Sequence, residues 1–268
     1  MIAAVPEQDP VTASLLEVTD LSKRYSGLVA LSAYGLHLAP HVIHGVIGPN
    51  GAGKTTLFNL LSGMVRPTTG AIRLSGVDIT NRQPQDVARL GMARTFQNIR
   101  LFGDMSALDN VKVAVQQRLP THLAQTLLSS PGSRRQELEV TERATATLAW
   151  AGLAAHAERR AASLPYGDQR RLEIARAAAT HPKILLLDEP NAGMNQTETA
   201  GLLDLIRRLR DEMGLTIILV AHDIPLVMNL CDRIQVLNYG TLIADGPPAV
   251  VRNDPEVITA YLGRARHA

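Results

Sequence analysis

Cysteine, aromatic residues and net charge are all scarce in this 268-residue chain, and each scarcity excludes a class of protein. The one cysteine, Cys231, cannot form an intramolecular disulfide, and we expect it to be a small buried apolar residue in a protein of a reducing compartment. Aromatic residues make up 3% of the sequence and the formal net charge is +2, which argues against base stacking and against a basic face. We therefore expect no nucleic acid among its partners.

Long apolar runs are also missing. The run IILVA at residues 217–221 falls far short of the roughly 18 residues that a transmembrane helix needs, and the first ten residues lack the regions of a secretory signal. Hydrophobic residues nevertheless make up 46% of the chain. Over this length they predict a globular protein with a full core.

Strand-like and helical segments alternate along the chain. We expect a loose tail at residues 1–14, short strands between residues 15 and 48, and a helical lobe from about residue 84 to 180 that is broken by SSPGS at 129–133. After residue 180, the apolar runs ILLL and TIILV alternate with helices. Such continuous apolar runs indicate an α/β protein whose parallel sheet is covered on both faces.

The strongest chemical motif is GPNGAGKTT at residues 48–56. It matches G-x-x-x-x-G-K-[ST], follows an apolar run and opens a helix, which is the context of a phosphate-binding loop. The glycines let backbone N–H groups converge on an anion, Lys54 adds a positive charge, and Thr55 offers a hydroxyl to magnesium. The predicted phosphate-binding residues are Gly48, Pro49, Asn50, Gly51, Ala52, Gly53, Lys54, Thr55 and Thr56.

Two carboxylates, Asp188 and Glu189, follow the apolar run ILLL. In an α/β protein they would lie at the carboxyl edge of the sheet, where ligands bind. We predict that Asp188 serves magnesium and that Glu189 polarises an attacking water. Gln97 and His222 also end apolar stretches, although by themselves such residues are more often satisfied polar groups than catalytic ones.

The segment SLPYGDQRRLEIAR at residues 163–176 predicts a helix that begins near Gly167. Leu172 and Ile174 belong to its apolar face, and the arginines of the segment are expected to remain in water. Taken alone, this pattern is typical of a surface helix that is entered by a tight turn.

Taken in order, the phosphate loop, Gln97, LPYGDQ, LLLDEP, NAGMN and a histidine after the next strand resemble the ATP-binding cassette of ABC transporters. Segments such as GMARTFQNIRLFGDMSALDNVKVA and YGDQRRLEIARA, and the ending AYLG, are similar to the ATP-binding subunits of branched-chain (hydrophobic) amino-acid importers. The resemblance covers nearly the whole chain. It implies a single cassette over residues 15–268: a P-loop NTPase with a RecA-like parallel core, an antiparallel β-subdomain and an inserted helical subdomain at about residues 98–165.

The resemblance also implies ATP and Mg²⁺ as cofactors and gives roles to individual residues. Tyr25 would stack on adenine, although as a residue it fits a half-buried strand position equally well. Glu189 would be the general base and His222 would hold the terminal phosphate. Gln97 would link the nucleotide to the helical lobe. The implied magnesium ligands are Thr55, Gln97 and Asp188.

The segment LPYGD at residues 164–168 holds the place of the L-S-G-G-Q signature, which in this family grips the ATP of the opposite cassette. Pro165 stands where the signature has serine and Asp168 where it has glutamine, so a weaker grip on phosphate is expected. Asn195 is a second departure, because most cassettes have aspartate there. The signature residues implied to contact nucleotide are Pro165, Tyr166, Gly167 and Asp168.

The implied function is ATP hydrolysis that powers uptake of branched-chain or other hydrophobic amino acids. The implied partners are a second, related cassette in a heterodimer, two transmembrane permease subunits and, indirectly, an extracytoplasmic solute-binding protein. This arrangement places the chain at the cytoplasmic face of the inner membrane. Alternatives are a soluble cassette that regulates another complex and an importer cassette for urea or amides; a P-loop kinase would leave LPYGDQ and His222 unexplained.

Overall fold

The computed structural model describes residues 14–117 and 131–262. Residues 1–13 of the predicted tail lie outside this part, as do residues 129–130 of the predicted break SSPGS. Residues 131–133, the rest of that break, are helical. Across the described residues the fold is the predicted α/β arrangement of a parallel sheet with an antiparallel sheet.

The strands are numbered in chain order. They are β1 (Leu16–Tyr25), β2 (Leu28–Leu38), β3 (Ile43–Ile47), β4 (Thr69–Leu74), β5 (Val77–Asp78), β6 (Met92–Arg94), β7 (Ile184–Asp188), β8 (Thr216–Val220), β9 (Arg233–Asn238) and β10 (Thr241–Gly246). The helices are α1 (Lys54–Leu61), α2 (Pro84–Leu90), α3 (Ala107–Gln116), α4 (Pro131–Trp150), α5 (Tyr166–Ala178), α6 (Gln196–Asp211), α7 (Ile224–Leu230), α8 (Pro248–Val251) and α9 (Pro255–Leu262).

The antiparallel sheet has the order β2-β1-β4-β5. In β1, Leu16 and Val18 are buried while Glu17 between them is more exposed, the alternation expected of a sheet with one face in the core. This buried face shares a hydrophobic cluster with Leu57 and Phe58 of α1. Burying each such side chain contributes about 1.5–3 kcal/mol, so the antiparallel sheet and α1 are held together by a common core.

The second sheet has the order β10-β9-β3-β8-β7-β6, and the strands from β9 to β6 run parallel. Every residue of β3, β7 and β8 is buried. Two hydrophobic clusters cover the two faces of this sheet: Ile184 and Leu186 belong to one, Leu185 and Leu187 to the other. The continuous apolar runs of the sequence are thus explained by burial on both sides.

Strand β6 corrects one expectation. The interval from residue 84 to 180 was expected to be helical, but residues 92–94 pair with β7, with Arg94 opposite Leu186. Three residues are too few to show a strand periodicity in the sequence. Their pairing is decided by a neighbouring strand that lies 90 residues further along the chain, so it is visible only in the tertiary structure.

Helices α3, α4 and α5 pack against one another beside the parallel sheet. The single tryptophan of the chain, Trp150, ties the end of α4 to α6. Its Nε1 donates to Glu212 at 2.7 Å, and the guanidinium of Arg208 lies 4.8 Å from the ring centroid. Within residues 14–117 and 131–262, no helix has the length and apolar character that crossing a bilayer requires.

Cys231 is buried with 7% of its surface exposed, in agreement with the prediction of a small core residue. Burial raises the pKa of its thiol to about 12, with a smaller contribution from the nearby Asp232. Because a thiol reacts as its thiolate, the folded protein holds this group in an inert form.

His44 of β3 is also buried, with 1% exposed, and its Nε2 has no hydrogen-bond partner among the described residues. Burial lowers the pKa of this imidazole to about 4, although Asp245 and Gln235 oppose the shift. The folded protein therefore holds the neutral ring at a pH at which an unfolded chain would protonate it.

We predict that the free energy of unfolding decreases as pH falls from 6.5 to about 4. Between these pH values His44 binds a proton in the unfolded state but not in the folded state. This difference lowers the free energy of unfolding by about 3 kcal/mol. Urea titrations at several pH values measure this slope. His44→Gln should flatten it, whereas His37→Gln, at an exposed position of β2, should leave it unchanged; equal slopes in all three proteins would contradict the assignment.

Candidate nucleotide-binding site

The predicted phosphate loop joins β3 to α1 and lies against the backbone of neighbouring strands. Gly48 has φ 150° and Gly53 has φ 105°, conformations that L side chains rarely adopt. A Cβ on Gly48 would lie 2.1 Å from the carbonyl oxygen of Leu237, and one on Gly53 would lie 2.6 Å from that of Ala30. Both positions therefore require glycine for close approach as well as for backbone conformation.

The N-terminus of α1 is suited to an anion. Gly53 stands at the cap position, where it offers no side chain to cap the helix, and the first turn contains no acidic residue. The first backbone N–H groups of a helix have no partner within the helix, and they carry partial positive charge. This end of α1 can thus bind phosphate with its backbone.

Lys54 is largely buried, and its ammonium group donates to the carbonyl oxygens of Gly48 at 2.6 Å and Pro49 at 3.0 Å. Its charge therefore lies over the loop. Thr55 and Asn50 are exposed, and Thr56 is half-buried. The N–H of Ala52 donates to the carbonyl of Pro49 at 3.1 Å and closes the turn of the loop.

Asp188 ends β7 and forms a nearly buried ion pair with Arg94 of β6. Its Oδ2 accepts from Nη2 of Arg94 at 2.9 Å, and the two side chains are 9% and 7% exposed. Nη1 of Arg94 donates to Asn59 at 2.8 Å and to Ser62 at 3.1 Å. Asn59 lies in α1, and Ser62 directly follows the last residue of this helix. Sequence reasoning missed Arg94, because an arginine within an apparently helical stretch gives no sign of burial.

Glu189 follows Asp188 and leaves the strand with φ 46°, an uncommon conformation for a residue with a side chain. Nε2 of Gln97 lies 3.2 Å from its Oε2, and Nδ1 of His222 lies 3.5 Å from its Oε1. The structure thus brings together the three predicted catalytic residues, which come from three separate segments of the chain. Glu189 is mostly shielded from solvent, whereas His222 and Gln97 are exposed.

The three predicted magnesium ligands offer a hydroxyl, an amide and a carboxylate oxygen. These are hard oxygen donors, the kind that Mg²⁺ prefers. Among the described residues no group of three or more His, Cys, Asp or Glu side chains could hold a metal ion alone. The donor atoms of Thr55, Gln97 and Asp188 are thus of a type that suits Mg²⁺.

Tyr25 is the last residue of β1, and 42% of its surface is exposed. The ammonium group of Lys23 lies 5.0 Å from the centroid of its ring. The ring is therefore accessible to a base, which stacking on adenine requires.

The predicted signature segment, residues 164–168, forms the start of α5. Pro165 occupies the cap position without a side-chain hydrogen bond to the helix, and it is exposed. Oδ2 of Asp168 lies 3.6 Å from Nε2 of His156, so the carboxylate at the glutamine position of the signature lies beside an imidazole ring. Tyr166 is 42% exposed.

Gly167 allows α5 to approach α6. A Cβ at this position would lie 2.9 Å from Oε1 of Glu198 in the first turn of α6. Glu198 is itself held by a capping box with Asn195: each side chain bonds the other's backbone N–H at 2.9 Å. Asparagine therefore serves here as a helix cap, a role for which it is as suitable as aspartate.

Comparison with known proteins shows the family of this chain. A family model described as ABC transporter matches residues 31–192. The chain belongs to the ABC transporter family. It is an ATP-binding cassette, and it binds nucleotide and hydrolyses ATP, as the resemblance of its motifs implied. A second model, described as branched-chain amino acid ATP-binding cassette transporter, matches residues 241–267 of the cassette.

Similar proteins extend over nearly the full cassette. The high-affinity branched-chain amino acid transport ATP-binding protein LivG of Escherichia coli is 49% identical over 251 residues, which cover 94% of this chain and 98% of LivG. BraF of Pseudomonas aeruginosa, which carries the same description, is 47% identical with the same coverage. The crystal structure of the ADP conformation of MJ1267, an ATP-binding cassette of an ABC transporter, superposes with TM-score 0.81 at 27% identity over 94% of this chain.

One expectation about the signature helix of the cassette is wrong. The arginines of α5 were expected to stay in water, but Arg170 is fully buried. The residue forms an i,i+3 ion pair with Glu173 at 2.8 Å, also buried. The spacing of opposite charges next to Leu172 was the available signal, but such pairs are usually exposed, and only the packing of α5 against the Gln97 loop reveals this one.

Proposed function

We propose that this cassette is the ATP-hydrolysing subunit of an importer of branched-chain amino acids. The convergence of Gln97 and His222 on Glu189 supports the hydrolytic role, because a carboxylate at the end of a buried strand has a polar partner on each oxygen. The match of the C-terminal segment to the branched-chain amino acid family model, together with the names of the similar proteins, supports the substrate class.

In the proposed mechanism, the phosphate loop and the N-terminus of α1 bind the ATP phosphates through backbone N–H groups, and Lys54 exchanges its contacts with the loop carbonyls for the outer phosphates. Tyr25 stacks on the adenine. Glu189 accepts a proton from the water that attacks the terminal phosphorus, the bond between this phosphorus and the oxygen of ADP breaks, and His222 contacts the phosphate that is released. Gln97 lies at the carboxylate oxygen of Glu189 that His222 does not contact, and it orients the water or the phosphate.

Thr55, Gln97 and Asp188 are the residues that would hold Mg²⁺. The ion supplies charge neutralisation for the phosphates when it is bound. Arg94 keeps one oxygen of Asp188 in an ion pair at 2.9 Å, so the carboxylate is oriented before nucleotide arrives and its negative charge is balanced in the nearly buried site.

A groove of about 830 Å³ lies between α2, β6, α3 and α5. Phe96 and Phe102 line it together with Arg89 and Arg176, and Phe102 is 49% exposed. We assign this groove to a cytoplasmic segment of a permease subunit, which would hold the cassette at the cytoplasmic face of the inner membrane. Phe96 precedes Gln97, so occupation of the groove would act directly on the glutamine beside the catalytic carboxylate.

Glu189→Gln should leave ATP binding nearly intact and lower turnover by about 10²- to 10⁴-fold, because the amide fills the same space but cannot accept the proton. Calorimetry measures binding and phosphate release measures turnover. Glu139→Gln, on the exposed surface of α4 and paired with Arg143, is the matched control and should behave as the parent. Parental turnover in Glu189→Gln would exclude this residue as the base.

The signature departures support a second assignment, a heterodimer with a related cassette. Each ATP of such a dimer lies between the phosphate loop of one chain and the signature of the other. This chain has a complete set of catalytic residues but lacks the signature serine at Pro165, so its own ATP would be gripped well only by a partner with a stronger signature. Two different permease subunits and a solute-binding protein complete the proposed importer.

Pro165→Ser should raise the ATPase activity of this chain alone by several-fold. One hydrogen bond to a charged group contributes about 1.5–3 kcal/mol, and altered loop geometry offsets part of this gain. Pro165→Ala removes the ring without adding a hydroxyl, and we expect no gain from it. Steady-state rates are compared with and without the partner cassette. Full activity of the parent alone, or equal gains from serine and alanine, would refute the argument.

The substrate class is tested in proteoliposomes that contain the cassette with permease and solute-binding proteins from the same organism. Leucine, isoleucine and valine should each stimulate ATP hydrolysis and accumulate inside several-fold above the Glu189→Gln complex. Stimulation by urea or acetamide alone would favour an amide importer. Hydrolysis that no solute stimulates, in a cassette that does not copurify with a permease, would favour the soluble regulator.

A further inference from the structure

Arg170 is the largest fully buried side chain in the described part of the chain. It stands on α5 two residues after the signature segment, where a charged group would ordinarily face water. Removing a guanidinium from water is costly unless hydrogen bonds and an opposite charge compensate. Its surroundings therefore show what the fold gains from this burial.

The guanidinium of Arg170 is held by partners from the Gln97 loop and from its own helix, α5. Nη1 donates to the carbonyl oxygen of Phe96 at 2.8 Å and to Glu173 at 2.8 Å. Nη2 donates to the carbonyl oxygen of Gln97 at 2.8 Å and to the hydroxyl of Tyr166 at 3.3 Å. One rigid, planar group thus contacts both the backbone of the glutamine and a side chain of the signature segment.

Glu173 completes this connection. Its Oε2 accepts from Arg170, and its Oε1 accepts from the backbone N–H of Arg100 at 3.1 Å. The ion pair therefore holds the loop of residues 96–100 at both ends, although this loop has no helix or strand of its own. Since the side chain of Gln97 reaches Glu189, a shift of the loop moves Gln97 relative to the catalytic carboxylate.

Tyr166 connects the same arginine to the signature segment and to the loop that contains Gly193. Its ring lies 5.9 Å from the guanidinium, and a Cβ on Gly193 would lie 3.5 Å from its Cε1. Tyr166 is half-exposed despite these contacts. Gln97 and Tyr166 are thus joined through a single buried side chain, while one belongs to the chain's own ATP site and the other to the segment that faces the partner's ATP.

We propose that Arg170 is a positioning residue that transmits the state of a chain's own ATP site to its signature segment. ATP binding that moves Gln97 displaces the carbonyls of residues 96 and 97, the guanidinium follows as a rigid unit, and Tyr166 moves with it. The inference rests on the proposed function, because it takes Gln97 and the signature to serve the two ATP molecules of a cassette dimer.

The test is hydrogen–deuterium exchange of the full chain carrying Glu189→Gln, with and without Mg-ATP, at a concentration where light scattering shows monomers. In this parent, ATP should slow exchange at residues 48–56 and alter it at residues 95–100 and at residues 163–169. Adding Arg170→Lys retains the charge but loses the planar fork. The change at 163–169 should then fall by about half or more, while the changes at 48–56 and 95–100 remain.

Arg171→Lys is the matched control. Arg171 is the next residue of α5, but its side chain packs against α6. A Cβ added to Gly201 of α6 would lie 2.2 Å from Nη2 of Arg171. This variant should keep all three responses. Tyr166→Phe removes only the hydroxyl that accepts from Arg170, so it should weaken the response at 163–169 even if Arg170→Lys fails to fold.

The outcomes separate this inference from the proposed function. If residues 48–56 do not become protected, the chain does not bind ATP as proposed and both ideas fail. If they become protected but residues 163–169 do not respond in the parent, or respond in Arg170→Lys and in Tyr166→Phe as strongly as in the parent, Arg170 only fills space in the core and the coupling role is overturned.

Discussion

The parallel register of β3, β8, β7 and β6 is the constraint on which the site depends. Val46, the last but one residue of β3, and Asp188, the last residue of β7, each pair with Val220, the last residue of β8, so the carboxyl ends of the three strands lie at nearly one level. The segments that follow these strands therefore leave the same edge of the sheet: the phosphate loop after β3, Glu189 after β7, and His222 two residues after β8. A shift of one strand by a single residue would turn its side chains to the opposite face and dismantle the site.

Two carboxylates near the site, those of Asp188 and Glu173, are neutralised by buried arginines. Arg94 balances Asp188, and Arg170 balances Glu173 while it binds the carbonyls of the Gln97 loop. A buried ion pair adds little net stability relative to apolar residues, but it fixes the positions of the groups it joins. The two pairs hold a carboxylate and a loop in place beside a site that must accept a polyphosphate.

Sequence and structure agree where a function depends on backbone shape and local order. The phosphate loop needs glycine at positions 48 and 53, since carbonyl oxygens lie too close for a Cβ. Both glycines belong to the short motif G-x-x-x-x-G-K-[ST], so the sequence alone indicates this requirement. The motifs LLLDEP and LPYGDQ likewise place their residues at a strand end and at a helix start. The fold class followed from the same observations, because long apolar runs between helices are typical of a sheet buried on both faces.

The sequence alone thus determined the family, the phosphate loop, the alternation of strands and helices after residue 180, and the polar residues that follow the apolar runs. Tertiary structure alone decided that residues 92–94 form a strand, that Arg94 pairs with Asp188, and that Arg170 is buried between the Gln97 loop and the signature. Each of these features joins residues 70 or more positions apart in the chain. Local periodicity and motif spacing report only what neighbouring residues require, whereas the burial of a charge depends on which distant groups are present to compensate it.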